Sequence, residues 1–506
     1  MPSRQGSPAI NLVSSTSPPL CVDLDGTLVK SDTLYDSVMV LARQHPAALM
    51  QLPRWLRGGK AALKRHLTAA VELDVVHLPY NRELLQYLEQ QHATGRAIYL
   101  ATAADTALAE RVAAHLGLFA GVLASDGSLN LAGKNKLAAF QTRFGDNFTY
   151  IGNALPDAPL LANCLDPMVA NPTSGLRAAL LEANVTPVRT FVDAPSPLKA
   201  WLKAIRLHQW AKNVLIFLPL LLAHAWEPGP FVGAVIAFVS FGLCASATYI
   251  VNDLLDLEAD RKHLRKRRRP FAAGDLSALA GISVVALFLL SSLSLAILLP
   301  HAIAAVSSTS ILGRPYYFLE WLAIYAVTTS AYSFRLKRAV LVDVIVLSGL
   351  YTIRILAGSA ATGVPVSAWL GGFSIFFFLS LAFVKRFAEL ESLRQRDPVP
   401  GPAIAQIQGR GYLVSDIEQL RSFGSASGYA SVVVLTLYIS NINAVELYAH
   451  PNRLWLLVPV LLLWISRLWL LASRGQLDED PVVYAITDKR SLLMGLLVIL
   501  IVFISL

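Results

Sequence analysis

The chain has 506 residues, 55% hydrophobic and 15% charged, with a mean hydropathy of +0.51. These values exclude an ordinary soluble globular protein and place the chain in the membrane class. A net charge of +9 then suits anionic headgroups and phosphate-bearing substrates, with no nucleic-acid partner. The three cysteines, Cys21, Cys164 and Cys244, are far apart without metal spacing, which excludes a disulfide framework and indicates a reducing compartment.

In chain order, residues 1–18 are rich in Ser and Pro and lack an apolar core. They read as a disordered tail rather than a signal peptide. Next, the short apolar strand Leu20-Cys21-Val22 runs into Asp23-Leu24-Asp25-Gly26-Thr27. Strand alternation puts Asp23 and Asp25 on one side, and Gly26 permits a tight turn. One carboxylate can attack a phosphate while the other handles a proton. This stretch resembles the first motif of the haloacid dehalogenase superfamily. The resemblance implies a Rossmann-like α/β domain over 19–192, with a helical cap over 33–94. It also implies three further motifs: Thr102 ending the apolar strand Ile98–Ala101, Lys136, and the pair Asn153 and Asp157. In that scheme Thr102 and Lys136 bind phosphate, while Asp23, Asp25, Asn153 and Asp157 hold Mg²⁺. The usual fourth motif is Gly-Asp-x-x-x-Asp, so Asn153 replaces an acid and should lower metal affinity. A phosphatase and a catalytically silent docking module both stay open.

Residues 193–200, with Pro195 and Pro197, form a linker. Beyond it, 201–506 reads as an all-α polytopic membrane bundle. Nine spans are expected, at about 212–227, 231–252, 278–299, 316–333, 341–362, 366–388, 427–447, 453–472 and 490–506. Residues 391–426 read as a long Pro- and Gly-bearing loop. The second span ends in Asn252-Asp253-Leu-Leu-Asp256-Leu-Glu-Ala-Asp260. If the helix continues, Asn252, Asp256 and Asp260 stack at i, i+4 and i+8, with Asp253 on the same face. Carboxylates this close repel unless a hard divalent cation such as Mg²⁺ sits among them. Seven basic residues follow, including Lys266 and Arg269.

Basic residues crowd alternate loops, which predicts a multi-pass protein of the inner (plasma) membrane with a cytoplasmic N-terminal domain and an outer C-terminus. Lys337, Arg354, Lys385 and Arg386 are read as an anion site near the acids. Ionisable groups in a bilayer are costly and functional by default. The alternative for Arg354 is a structural pair with Asp343.

The Asn252–Asp260 pattern, the Lys266–Pro270 run and Tyr332-Ser-x-x-Leu336-Lys337 are similar to the UbiA superfamily of intramembrane prenyltransferases. Arg206-Leu-His-Gln209-Trp210-Ala-Lys212-Asn213 and Lys385-Arg386-Phe-Ala-Glu389 are similar to its decaprenyl-phosphate phosphoribosyltransferase branch. The resemblance implies transfer of phosphoribose from phosphoribosyl pyrophosphate to a polyprenyl phosphate. Asp253 and Asp256 would be catalytic, and Asp260 a third Mg²⁺ ligand. Lys212, Asn213, Asn252, Lys266, Arg269, Tyr332, Lys337, Arg354, Lys385, Arg386 and Glu389 would bind substrate. The N-terminal domain would then remove the 5-phosphate of the product. Prenyl transfer from a prenyl diphosphate to another acceptor remains the alternative, and a homo-oligomer stays open.

Overall fold

The computed structural model describes residues 17–306, 316–396, 410–440, 448–477 and 481–506. Most of the expected disordered tail lies outside them. The chain forms two compact units that are not consecutive in sequence. The first runs to Ile205 and regains Tyr249–Val284; the second holds Arg206–Thr248 and Val285–Leu506.

The first unit is built on a parallel sheet of β1 (Leu20–Val22), β2 (Ile98–Asp105), β3 (Gly121–Ser125), β4 (Thr149–Gly152), β5 (Pro167–Ala170) and β6 (Arg189–Phe191), in the order β3-β2-β1-β4-β5-β6. All five pairings are parallel. Leu20, Cys21 and Val22 are fully buried, as a central strand covered on both faces requires. In this order the chain reverses direction between β1 and β4. A crevice therefore opens there at the carboxyl ends of the strands, where open α/β sheets bind ligands. Asp23 directly follows β1, and Asn153 directly follows β4. Between β1 and β2 the chain is helical over Thr33–Gln44, Leu52–Arg57, Gly59–Ala70 and Arg82–Ala93. Side-chain caps from Asp32 and Asn81 start the first and last of these.

Six helices among the described residues are long and apolar enough to cross a membrane: Pro228–Leu255, Ala278–Val306, Val342–Thr362, Ala368–Gln395, Val414–Ile439 and Pro451–Ser473. The expectation was nine. The first expected span is short, a 3₁₀ turn Leu207–Phe217 leading into the helix Leu218–Leu222. The helix Tyr317–Phe334 has 18 residues but carries Glu320 and many hydroxyls, and the last helix, Lys489–Ser505, has 17. Residues 391–426 are also not one long loop. Their first part extends the preceding helix to Arg396, and Ile417–Ile439 is helical.

In the second unit, Leu290, Leu293 and Leu298 on one helix and Leu493, Leu496 and Phe503 on another are exposed. Such apolar surface is costly in water and natural against lipid. Close helix contacts use small residues. A Cβ on Gly358 would lie 2.1 Å from the Ile216 carbonyl oxygen.

Candidate functional site

Two acidic centres form in the first unit. At the sheet crevice, the Asp23 carboxylate accepts a 2.7 Å bond from Lys136 Nζ and a 3.3 Å bond from Thr27 Oγ1. Lys136 also donates to Tyr150 Oη at 3.0 Å and lies 3.8 Å from Asp157. The Asp25 carboxylate accepts the Thr33 N–H at 2.7 Å. Gly26 has φ +76°, and a Cβ there would sit 2.0 Å from the Asn153 amide nitrogen. Only glycine therefore allows both this turn and the approach of Asn153 to it. Burial pushes the Asp23 carboxyl up to about 7, against the Lys136 ammonium; burial, then Asp32, pushes Asp25 up to about 6. Desolvation disfavours the charged form, and a bound cation would reverse it.

Asp157 departs from its expected place among metal ligands. Its oxygens accept from Tyr150 Oη at 2.7 Å and from the Asn153 and Ala154 N–H groups at 3.0 Å each, so it shapes the turn after β4. Among the described residues, no three His, Cys, Asp or Glu side chains gather as a metal-holding group. Asp23 and Asp157 still share Lys136, at 2.7 and 3.8 Å. What remains at the crevice is Asp23 with Asp25, and Mg²⁺ commonly needs one or two carboxylates plus substrate phosphate. Thr102 is fully buried and its Oγ1 accepts the Ala104 N–H at 2.9 Å. Lys64 was missed in the sequence. From the helix Gly59–Ala70 its ammonium reaches the Ala103 carbonyl at 2.6 Å, and the charges of Asp25 and Asp32 act on it. A lone lysine in an amphipathic helix carries no signal of this.

The second centre lies where the membrane helix Pro228–Leu255 ends. At about 1.5 Å per residue, its 28 residues reach about 42 Å, more than the ~30 Å apolar core. The helix does not continue through the acids. It breaks at Asp256, which caps the separate helix Leu257–Lys262. Asp253 and Asp260, each 2% exposed, meet at one point, 3.0 and 2.7 Å from Arg269 Nη1. Asp256 instead pairs with Arg43 at 3.4 Å. The pair that could share a cation is thus Asp253 and Asp260 rather than Asp253 and Asp256. Arg269, expected to bind substrate, bridges them. Two carboxylates aimed at one positive group fit Mg²⁺. Burial pushes Asp260 up, opposed by Arg269. Asn252 is half-buried and Lys266 exposed.

This segment is held within the first unit by ion pairs. Arg261 Nη2 lies 2.8 Å from Asp36 and donates to Ser31 Oγ at 3.0 Å. Lys30 meets Asp275 at 2.8 Å, and Lys262 meets Asp74 at 2.9 Å. Arg261, expected only as part of a basic loop, is 5% exposed.

In the second unit, Arg386 is fully buried, and its donors are largely used. Nε reaches Asp343 at 2.6 Å, Nη1 reaches both Glu389 oxygens at 2.8 and 2.7 Å, and Nη2 reaches Tyr332 Oη at 3.0 Å. Tyr412 also donates to Asp343. Arg410 lies 3.5 Å from Asp343 and from Glu389, and donates to Tyr332 at 3.3 Å. Arg386 thus centres a buried ion-pair cluster, and Glu389 faces Arg386 and Arg410. Asp343 pairs with Arg386 and not with Arg354. Removing one partner of a buried pair typically costs about 3–5 kcal/mol. Arg386→Met should lower the melting temperature of the detergent-solubilised protein by several degrees; an unchanged melting temperature with lost substrate binding would return Arg386 to the phosphate.

Arg354, 5% exposed, has only neutral partners among the described residues: Asn213 Oδ1 at 2.9 Å, Tyr325 Oη at 3.2 Å and the Leu350 carbonyl. It lies over the Tyr325 and Tyr351 rings, and Lys212 Nζ sits 5.6 Å from the Tyr351 ring centre. A buried guanidinium without a carboxylate is costly, and an anion would relieve it. Lys337 and Lys385 are half-buried and engaged in other contacts.

Residues 214–486 match the model of the UbiA prenyltransferase family. The chain belongs to that family. With six apolar helices, this UbiA family member is an integral membrane protein. It is 38% identical over 485 residues to the uncharacterized protein y4nM of Sinorhizobium fredii, covering 95% of this chain and 89% of that protein. It is 34% identical over 299 residues to the nodulation protein NoeC of Azorhizobium caulinodans, covering 59% of this chain and 91% of NoeC. It is 37% identical over 193 residues to decaprenyl-phosphate phosphoribosyltransferase of Mycobacterium tuberculosis, covering 37% of this chain and 59% of that enzyme.

Proposed function

We propose that this transferase moves 5-phosphoribose from phosphoribosyl pyrophosphate to a polyprenyl phosphate with Mg²⁺, and that its N-terminal unit then removes the 5-phosphate from the lipid product. The observation that carries the transfer reading is the convergence of Asp253 and Asp260 on one cationic point. The likeness to decaprenyl-phosphate phosphoribosyltransferase supports the choice of substrates.

Asp253 and Asp260 would hold Mg²⁺, which supplies positive charge to a leaving diphosphate. Arg269 keeps these carboxylates aligned, and its planar fork suits a phosphate oxygen once a metal replaces it. Within the second unit, Lys212 and Arg354 have the chemistry to hold a phosphate. An acceptor phosphate is already ionised near neutral pH, so no strong base is needed.

In the haloacid dehalogenase-like reading of the N-terminal unit, Asp23 attacks the phosphorus, with Lys136 balancing its charge. Asp25, held near 6 by burial, gives a proton to the departing ribose oxygen, then takes one from a water that attacks the phosphoryl group on Asp23 and releases phosphate. Asn153 lies against the Gly26 turn that follows both acids.

The donor decides between this reading and prenyl transfer. Radiolabelled phosphoribosyl pyrophosphate and radiolabelled prenyl diphosphate are each offered to the solubilised protein with Mg²⁺ and polyprenyl phosphate. Label is expected in lipid from the first alone. Incorporation from the second alone would establish prenyl transfer instead.

A further inference from the structure

A cavity of about 800 Å³ opens in the first unit, apart from both acidic centres. Seven of its lining residues are Lys or Arg, and only two, Asp193 and Asp275, are acidic. Both acids are already committed to Lys30, at 3.7 and 2.8 Å. The remaining wall is uncompensated: Lys199, Arg267 and Arg268 pair with no carboxylate among the described residues. At the inner wall, Arg261 spends Nη2 on Asp36, but its Nη1 is buried with no hydrogen-bond partner. Buried donors are rarely left unpaired, and one in a native structure asks for a ligand or an unplaced water. Several cations around a concave wall focus an anion-attracting field.

We propose that this cavity is a metal-independent binding site for a phosphate-bearing anion. Its volume admits a phosphorylated small molecule or a phospholipid headgroup. The helix Pro197–Ile205 gives the headgroup source a route. It turns Lys199 and Lys203 to the cavity while Leu198 and Leu202 are 68% and 47% exposed. Such a helix can lie along a membrane surface with its leucines among the acyl chains. The site differs in kind from the aspartate centres, where phosphate binding needs a bridging cation. Here the side chains themselves carry the charge.

The test uses the full-length protein with EDTA, so that metal-dependent sites are silent. In zwitterionic detergent, inorganic pyrophosphate should raise the melting temperature of the wild type. In Lys199→Glu/Lys203→Glu, and separately in Arg268→Glu, its apparent affinity should fall at least about tenfold. These residues are exposed, so the unliganded melting temperature of each variant should match the wild type. Nanodiscs separate the two sources. If a headgroup is the natural occupant, the pyrophosphate shift persists in phosphatidylcholine and disappears in phosphatidylglycerol. If a solute is, it persists in both. Variants that shift like the wild type would overturn the proposal. So would a wild type that responds neither to pyrophosphate nor to phosphatidylglycerol.

Discussion

Asp253→Asn and Asp260→Asn are each expected to lower phosphoribosyl transfer about 10²–10³-fold, the usual cost of losing one group that stabilises charge in a transition state. Both carboxylates are buried and both face Arg269 Nη1, so each amide removes half of the charge aimed at that point. The same substitutions should remove any Mg²⁺-dependent rise in melting temperature that phosphoribosyl pyrophosphate produces in the wild type. This binding readout separates loss of the metal site from a slow chemical step. Asp256→Asn should cost less, because that carboxylate is 27% exposed and faces Arg43. Full transfer activity in Asp253→Asn would sink the proposal. An Asp256→Asn loss larger than that of Asp260→Asn would show that the segment rearranges when substrate binds.

Asp23→Asn should abolish removal of the 5-phosphate, by at least about 10³-fold, as expected for loss of a nucleophile. Transfer itself should continue. Mass spectrometry of the lipid product should then show one phosphate more than with the wild type. The variant should still fold, since Lys136 keeps Tyr150 at 3.0 Å and Asp157 at 3.8 Å. If the lipid from Asp23→Asn is identical to that from the wild type, the phosphatase assignment fails. The sheet unit would then serve to hold the Tyr249–Val284 segment through Arg261, Lys30 and Lys262.

The membrane half was legible because long apolar runs leave few alternatives to helices in lipid. Six of the nine expected spans are long and apolar enough to cross a membrane among the described residues; the other three fall on helices that are short or, as at 316–333, rich in hydroxyls. The acid stretch was legible as chemistry, but the reading assumed an unbroken helix. The interruption at Asp256 costs little, because the Asp256 N–H still bonds the Asn252 carbonyl and the Asp260 N–H the Asp256 carbonyl. Asp253 and Asp260, seven residues and so two turns apart, come together on Arg269, while Asp256 faces Arg43. Asp157 shows the same limit. Its position in a motif was visible, whereas its two backbone hydrogen bonds follow from the tightness of the turn after β4.

By itself, the sequence determined that an α/β unit precedes a bundle of apolar helices. It also determined that acids cluster at the end of one helix and that a paired-aspartate turn follows the first strand. These are local properties, set by hydropathy and by spacing within a few residues. The tertiary structure alone decided which charge neutralises which. Arg386 takes Asp343, 43 residues away; Lys136 takes Asp23, 113 away; Lys30 takes Asp275, 245 away. A buried charge must find a partner wherever packing brings one, and that choice depends on the whole fold.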